Sequence, residues 1–188
     1  MDRSFQPSDH LLFLRHWFSR PFQTAAIAPS SRWLARAMTA GIEPGQRILE
    51  LGPGTGSFTQ ALLKRGVDEA DLLLVERNPA FAALLVERFP RARIVLGDAA
   101  SLPIDDALAD AAVSGLPLLS MPAPQVMRIL RAAFGRLRPG ASFWQFTYGP
   151  RCPVPRTVLD RLGLVAHHTR FVPFNLPPAS VYRMARLS

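Results

Sequence analysis

The sequence of 188 residues contains a single cysteine, Cys152. One cysteine excludes an internal disulfide framework and a cysteine-based zinc site. Long apolar runs are also absent, because Arg, Gly or Pro interrupts each of them before the roughly 20 residues that a membrane-spanning helix needs. The first residues show no basic segment followed by an apolar core and a small-residue cleavage site, so we expect no secretory signal and a cytoplasmic protein.

Metal-ligand spacing is missing as well. The four histidines (His10, His16, His167 and His168) form no pattern with cysteine or carboxylates that would hold a metal ion. Cys152 stands in a proline-rich segment without a paired histidine, which argues against a thiol nucleophile. We therefore predict neither a metal site nor a cysteine-based catalytic centre.

Lysine is almost absent, since 21 of the 22 basic residues are arginine, and the net charge is +8. The charge is uneven: residues 1–40 carry +3, residues 41–130 carry −3 and residues 131–188 carry +8. Basic ends around a nearly neutral centre predict an anionic partner, either nucleic acid or an acidic membrane surface. The alternative is that the arginine content reflects only a compositional bias.

Short apolar runs alternate with helical patterns along the centre of the chain. Strands are predicted at 47–51, 72–75, 93–96, 109–114 and 142–147, and helices at 57–65, 79–89, 124–137 and 155–162. Continuous apolar strands alternating with helices are typical of a parallel sheet covered on both faces. Two further strands, 164–173 and 181–187, are placed to close the sheet with an antiparallel hairpin.

These elements predict an α/β fold with a Rossmann-like, doubly wound sheet of seven strands, mostly parallel with an antiparallel C-terminal strand. We expect helices on both faces of the sheet and amphipathic helices at the N-terminus. The chain divides into an N-terminal, substrate-covering helical segment at 1–40 and one structural unit at 41–188.

The segment ELGPGTG (residues 50–56) follows the first predicted strand and precedes the first predicted helix. Glycines at this position let the backbone turn sharply and approach a ligand where a Cβ atom would collide. Glu76 ends the second strand, where a carboxylate accepts hydrogen bonds from ribose hydroxyls, and Asp98 ends the third, within reach of an adenine amino group. The alternative is that these acids only cap the helices that follow them.

Together, ELGPGTG, VERNP (75–79) and GDA (97–99) resemble motifs I, II and III of class I S-adenosylmethionine-dependent methyltransferases, over about residues 40–188. The resemblance implies S-adenosylmethionine as cofactor and S-adenosylhomocysteine as product. It implies that the three glycines cradle the methionine end, that Glu76 holds the ribose, that Asp98 and Ala99 read the adenine, and that Glu50 supports the loop. A nicotinamide dehydrogenase fits poorly, because the glycine spacing is GxGxG and GDA has no role there. The expected cofactor-binding residues are Glu50, Gly52, Pro53, Gly54, Thr55, Gly56, Glu76, Arg77, Asp98, Ala99 and Ser114.

Residues 8–18 read SDHLLFLRHWF, with Ser8 or Asp9 as a helix N-cap. A broad apolar surface with arginine at its rim suits a helix in the plane of a membrane interface. The alternative is a helix that packs on the core of the domain. The predicted membrane-binding residues are Leu11, Leu12, Leu14, Arg15, Trp17 and Phe18.

The next segment, IAPSSRWLARAM at 27–38, resembles two methyltransferase families: the bacterial phospholipid N-methyltransferases, which methylate phosphatidylethanolamine, and the rRNA adenine dimethyltransferases. Enzymes that methylate base amines are expected to carry Asn/Asp-(Leu/Ile)-Pro-(Tyr/Phe) after the fourth strand, where the amide holds the amino group and the ring stacks on the base. This chain has SGLPLLSMP at 114–122, without amide or ring, and resembles the phospholipid family instead. Since the sequence ends at Ser188, we also expect no extra helical domain of the rRNA-enzyme type.

The sequence therefore predicts a phospholipid N-methyltransferase that converts phosphatidylethanolamine, through its mono- and dimethyl forms, towards phosphatidylcholine. We expect a monomer at the inner face of the cytoplasmic membrane, bound to an anionic lipid surface and not to nucleic acid. No general base is evident, and Tyr148 is the candidate catalytic residue. The expected substrate-binding residues are Ser30, Ser31, Leu116, Tyr148 and Arg151, with Arg151 matched to a lipid phosphate. The alternative function is an rRNA adenine N6-dimethyltransferase-like enzyme, or an RNA-binding relic of one.

Overall fold

The computed structural model describes residues 31–102 and 107–187. The predicted N-terminal amphipathic helices, the membrane-binding residues within 11–18 and Ser30 lie outside the described residues. The helices are α1 (Ser31–Met38), α2 (Ser57–Lys64), α3 (Pro79–Arg88), α4 (Ala123–Gly135) and α5 (Arg156–Leu162), with short 3-10 turns at Glu69–Asp71 and Leu118–Ser120. The strands are β1 (Ile48–Leu51), β2 (Leu72–Glu76), β3 (Arg93–Leu96), β4 (Ala109–Ser114), β5 (Leu137–Tyr148), β6 (Leu164–Val172) and β7 (Ala179–Arg186). None of these helices is long and apolar enough to cross a lipid bilayer.

The strands form one sheet in the order β3-β2-β1-β4-β5-β7-β6. Neighbouring strands from β3 to β5 are parallel, whereas β7 lies antiparallel between β5 and β6. The predicted Rossmann-like, doubly wound sheet of seven strands with an antiparallel C-terminal strand is therefore confirmed. The strand order reverses between β1 and β4, and ligands of such sheets bind at this point, outside the carboxyl ends of the strands.

Apolar side chains cover both faces of the sheet. On one face, Ile48 of β1 belongs to a core that includes residues of α1, α2 and α3. On the other face, Leu49 belongs to a core that includes residues of α4 and α5. Because successive strand residues point to opposite faces, β1 is buried over its whole length and is apolar except for Glu50.

The first helix, α1, is part of this packing. Leu34 and Met38 are buried in the core, while Arg32 and Arg36 are exposed. The spacing of four residues within each pair gives the helix one apolar and one basic face. The division of the chain at residue 40 stays a prediction.

The fifth strand is longer than predicted. Helix α4 ends at Gly135 rather than 137, and β5 begins at Leu137 rather than 142. In the structure Leu137 pairs with Ala109 of β4, so β5 starts directly after the end of α4. A register shift between Ala109 and Ala111 accommodates Pro139, which has no N–H for strand pairing.

Candidate active site

The loop between β1 and α2 (residues 52–56) lies at the carboxyl edge of the sheet. Gly52 N donates a hydrogen bond to Val75 O of β2 at 2.9 Å, which fixes the start of the loop. Gly52 and Gly54 have φ angles of +65° and +56°, in the left-handed region that glycine adopts without strain. A Cβ atom on Gly54 would meet nothing within 4 Å, so the loop borders open space there. The backbone of this loop is therefore accessible to a ligand.

Glu76 ends β2 and ties this loop to two other segments. The residue is 7% exposed, and its Oε2 accepts a hydrogen bond from Gly54 N at 3.0 Å. Its Oε1 accepts from Asn78 N at 2.8 Å, while its carbonyl oxygen accepts from Gly97 N at 2.9 Å. Each carboxylate oxygen keeps a further lone pair, so the group has capacity for ribose hydroxyls.

Glu50 is the third residue of β1 and is completely buried. Thr59 of α2 donates from Oγ1 to Glu50 Oε2 at 2.8 Å, whereas Glu50 Oε1 has no hydrogen-bond partner among the residues that the structure describes. Burial raises the pKa of Glu50 to about 8, and the nearby charge of Glu76 acts in the same direction. Glu50 is therefore mostly protonated at neutral pH and carries one unused polar oxygen next to the glycine loop.

The other predicted cofactor residues lie along the same edge. Asp98 is exposed, and its Oδ1 accepts from Ala100 N at 2.8 Å, which turns the chain after β3. Ala99 is buried, and Arg77 is exposed next to Glu76. The structure thus brings the glycine loop and the ends of β2 and β3 together, and what each residue binds stays a prediction.

An apolar depression lies at the carboxyl ends of β4 and β5. It is lined by Leu116, Pro117, Leu118, Leu119, Ser120, Phe146, Thr147 and Tyr148. Leu116 and Tyr148, both expected to bind substrate, therefore lie in one depression. Ser120 and Thr147 were not predicted, and their hydroxyl oxygens are buried without a hydrogen-bond partner in the described part of the chain. In the sequence, only their positions after β4 and at the end of β5 could have indicated that Ser120 and Thr147 line this depression.

Tyr148 borders this depression at the end of β5. Its ring packs edge-to-face on Phe146, with 5.4 Å between the ring centroids. Burial raises the pKa of Tyr148 to about 12. The phenol is therefore protonated at physiological pH and offers a hydrogen-bonding hydroxyl rather than a base. The described lining of the depression contains no carboxylate and no histidine.

Gln145 fixes the segment after β4 against β5. Its side chain is fully buried, and Nε2 donates to Leu116 O at 2.9 Å and to Phe146 O at 2.8 Å. Ser114 Oγ accepts from Leu116 N at 3.3 Å. Both backbone polar groups of Leu116 are thereby satisfied, so this lining residue has a fixed position. Ser114 thereby helps to fix Leu116, and its expected role in cofactor binding stays a prediction.

Two expected substrate residues lie at the margin of the site. Arg151 follows β5 and is exposed, and the carbonyl oxygen of Pro150 before it accepts a hydrogen bond from Tyr182 Oη at 2.5 Å. Ser31 is the first residue of α1. Arg151 does not line the depression, and the roles of Arg151 and Ser31 stay predictions.

Comparisons with known proteins identify the family. Residues 48–140 match the family described as a methyltransferase domain. The chain is 36% identical to the ornithine lipid N-methyltransferase of Singulisphaera acidiphila over 93% of this chain and 94% of that protein. The chain belongs to the class I S-adenosylmethionine-dependent methyltransferases. The family resemblance of the three motifs is thereby confirmed.

A solved structure and a second curated protein are similar to this methyltransferase in different ways, the first in its fold and the second in part of its sequence. The 1,6-didemethyltoxoflavin-N1-methyltransferase of Burkholderia thailandensis, solved with S-adenosylhomocysteine, has the same fold at 18% identity and a TM-score of 0.70, covering 100% of this chain and 93% of that chain. The ribosomal RNA small subunit methyltransferase A of a Synechococcus species is 35% identical over 99 residues, which cover 49% of this chain and 31% of that protein. The likeness to the rRNA enzyme is therefore partial.

S-adenosylmethionine is the cofactor of this methyltransferase, and the residues present fit it. The loop borders open space at Gly54, Glu50 has an unused buried oxygen, and Glu76 has acceptor capacity left. When bound, the cofactor supplies an electrophilic methyl group. Glu76 would hold the ribose, Asp98 the adenine, and the glycine loop the methionine end.

Replacing Glu76 with alanine is expected to weaken S-adenosylhomocysteine binding about tenfold to a hundredfold, which corresponds to about 1.5–3 kcal/mol for a charge-assisted hydrogen bond. The substitution removes the ribose acceptor and also releases the amide of Gly54. Isothermal titration calorimetry measures the affinity. Glu87→Ala, which changes an exposed glutamate of α3, is the control and should bind like the wild type. Equal affinity of the Glu76→Ala variant and the wild type would contradict the assignment.

Glu50 is expected to make stability depend on pH in a defined direction. Between the ordinary pKa of 4.5 and the folded value of about 8, the folded chain binds more protons at Glu50 than the unfolded chain does. The free energy of unfolding therefore falls as pH rises through this window, by up to about 1.4 kcal/mol per pH unit. Glu50→Gln removes this dependence, so the variant should gain stability relative to the wild type as pH rises.

Urea denaturation at several pH values across that window measures the effect. The control is Glu87→Gln, which should follow the wild type at every pH because Glu87 is exposed. A stability difference between Glu50→Gln and the wild type that stays constant with pH would show that Glu50 is not protonated in the folded chain.

Proposed function

We propose that this methyltransferase transfers methyl groups to the headgroup amine of a zwitterionic membrane lipid. Phosphatidylethanolamine and its mono- and dimethyl forms are the substrates that we assign, with phosphatidylcholine as the end product. The similarity to an ornithine lipid N-methyltransferase over nearly the full chain supports a lipid amine as the acceptor. We further propose that the enzyme works as a monomer at the inner face of the cytoplasmic membrane.

The observation that carries the proposal is the apolar depression next to the glycine loop. A Cβ atom on Gly52 would lie only 2.7 Å from Leu116 Cδ2, so the loop and the lining of the depression are in contact. An ammonium group that enters apolar surroundings loses hydration, which lowers its pKa and favours the neutral, nucleophilic amine. The ammonium group gives its proton to water as it enters, so the lining prepares an amine for methylation without a protein base.

The side chains of the depression supply orientation and exclusion of water. Leu116 and Phe146 provide apolar walls, and the oxygen of the protonated Tyr148 hydroxyl can accept a hydrogen bond from the amine N–H, which leaves the nitrogen lone pair free. Alignment of the reacting groups supplies most of the rate in a transfer whose methyl donor is already activated.

The segment after β4 lacks the groups that would recognise a nucleic acid base. A Cβ atom on Gly115 would lie 2.5 Å from Gly52 O, so no amide side chain fits at this position. Leu118 is buried in the core and offers no ring for stacking. A flipped base needs hydrogen bonds to its edge and a stacking partner. These features support a lipid amine over an adenine of rRNA.

Phosphatidylethanolamine and ornithine lipid share the chemistry that such a site would recognise. Both present a primary amine and an anionic group, which is a phosphate in the first and a carboxylate in the second. We assign the anionic group to Arg151, which is exposed shortly after Tyr148 at the end of β5. A guanidinium group binds either anion through paired hydrogen bonds.

The test incubates the protein and labelled S-adenosylmethionine with phosphatidylethanolamine vesicles, ornithine lipid vesicles or ribosomal RNA. We expect label in phosphatidylethanolamine and its methylated products. Label in ornithine lipid alone would keep lipid N-methylation and overturn the assigned substrate. Label in RNA alone would overturn the proposed function.

Arg151→Gln refines the same assay. We expect the KM for lipid to rise about fivefold with little change in kcat, as for an exposed charge-assisted contact of about 1 kcal/mol. Arg128→Gln, which changes an exposed arginine of α4, is the matched control and should leave KM unchanged. An unchanged KM in Arg151→Gln would remove Arg151 from the site.

A further inference from the structure

The turn between β6 and β7 (residues 173–178) lies at the same edge of the sheet as the active site. Ala179, the first residue of β7, pairs with Tyr148 on one side and with Val172 on the other. Gly149 N donates to Pro178 O at 3.3 Å, which joins the turn to the residue after Tyr148. The turn therefore lies directly beside Tyr148 and the apolar depression that Tyr148 lines.

This turn carries apolar side chains that are unusually exposed. Phe174 and Leu176 are 78% and 75% exposed, the highest values for large apolar residues in the described part of the chain. Trp33 of α1 is 46% exposed, and its ring centroid lies 6.5 Å from that of Phe174. We call Trp33, Phe174 and Leu176 the turn patch. Clustered apolar exposure of this kind marks an interaction surface, unlike scattered single residues.

A buried polar residue fixes the shape of the turn. Asn175, between Phe174 and Leu176, is 4% exposed. Its Nδ2 donates to Pro177 O at 2.7 Å and its backbone N–H donates to Val172 O at 3.3 Å. These hydrogen bonds fix the backbone of the turn, so the side chains of Phe174 and Leu176 are held in exposed positions.

Exposed arginines lie beside the turn patch. The guanidinium carbon of Arg32 lies 5.8 Å from the ring centroid of Trp33. Arg170 is exposed on β6 and pairs with Val181, a residue of the core on the α1 side of the sheet. Arg151, two residues after the hydrogen bond to the turn, is exposed as well. Tryptophan and other apolar groups with arginine at the rim suit the headgroup region of an anionic bilayer.

We propose that the turn patch inserts into the interface of a bilayer with anionic headgroups and thereby places the acceptor depression against the membrane. The inference rests on the proposed function, because a lipid headgroup has to reach Tyr148. Residues 1–30, which directly precede α1, are the competing occupant, but their three arginines and two aspartates give a net charge of +1, which does not match the exposed arginines beside the patch. An anionic bilayer does match them.

The test uses the full chain with Cys152→Ser and Phe174→Cys, labelled at the new thiol with an environment-sensitive nitrobenzoxadiazole group. Vesicles of equal parts phosphatidylcholine and phosphatidylglycerol should shift the emission to the blue and raise it severalfold. Pure phosphatidylcholine vesicles and high salt should give a smaller change. The matched control carries the label at Val86→Cys. Val86 is 54% exposed on α3, on the β3 side of the sheet and far from β6 and β7, so this label should not respond.

The double variant Phe174→Ser and Leu176→Ser gives an independent readout. Its affinity for the mixed vesicles in sedimentation should fall about tenfold or more, because two apolar side chains no longer leave water. Val86→Ser should sediment like the wild type, and circular dichroism verifies the fold of each variant.

Three results would overturn the proposal. Sedimentation with vesicles without any response of the label at residue 174 would assign membrane binding to another segment. Blue emission before vesicles are added would show that residues 1–30 or a second copy of the chain cover the turn patch. Insertion without lipid methylation would support the turn patch and overturn the proposed function, whereas methylation of lipid in detergent micelles without insertion in vesicles would overturn the turn patch alone.

Discussion

Two carboxyl groups buried beside the glycine loop constrain the whole active edge of this methyltransferase. A carboxyl group can be kept out of water only when hydrogen bonds or a proton compensate for the lost hydration. Glu76 receives two backbone N–H groups, from Gly54 and Asn78, and so joins the loop to the end of β2. Glu50 receives one hydroxyl, from Thr59, and burial raises its pKa to about 8. The geometry of the loop therefore depends on two acids that are stabilised in different ways.

The constraint extends from the cofactor loop to the acceptor side, because the two are in contact. Gly52 and Gly115 approach so closely that a Cβ atom on Gly115 would lie 2.5 Å from Gly52 O. On the other side, the side-chain amide of Gln145 donates a hydrogen bond to the carbonyl oxygen of Leu116. A shift of the glycine loop would thus move the wall of the depression in which we place the lipid amine. This coupling suits methyl transfer, whose rate depends on alignment of donor and acceptor.

Local signals made most of the fold and the cofactor side predictable from the sequence. Apolar runs of four to six residues, the glycine loop after the first run and acids at two strand ends are all contiguous patterns. The start of β5 was mispredicted because Pro139 and Gly140 are normal helix stops. Only the pairing of Leu137 with the distant Ala109 shows that the strand already begins before them. Thr59 and Gln145 were missed for a similar reason, since the role of a single polar residue is not recognisable until its partner in the fold is known.

The proton on Glu50 can be tested directly at the cofactor site. S-adenosylmethionine carries a sulfonium and an ammonium group, and positive charge near Glu50 lowers the pKa of its carboxyl group. Calorimetric titrations at pH 7 in buffers of different ionisation enthalpy count the protons released on binding. We expect the wild type to release about half a proton to one proton per cofactor, and Glu50→Gln to release none. Equal proton release by the two proteins would contradict a protonated Glu50 beside the cofactor.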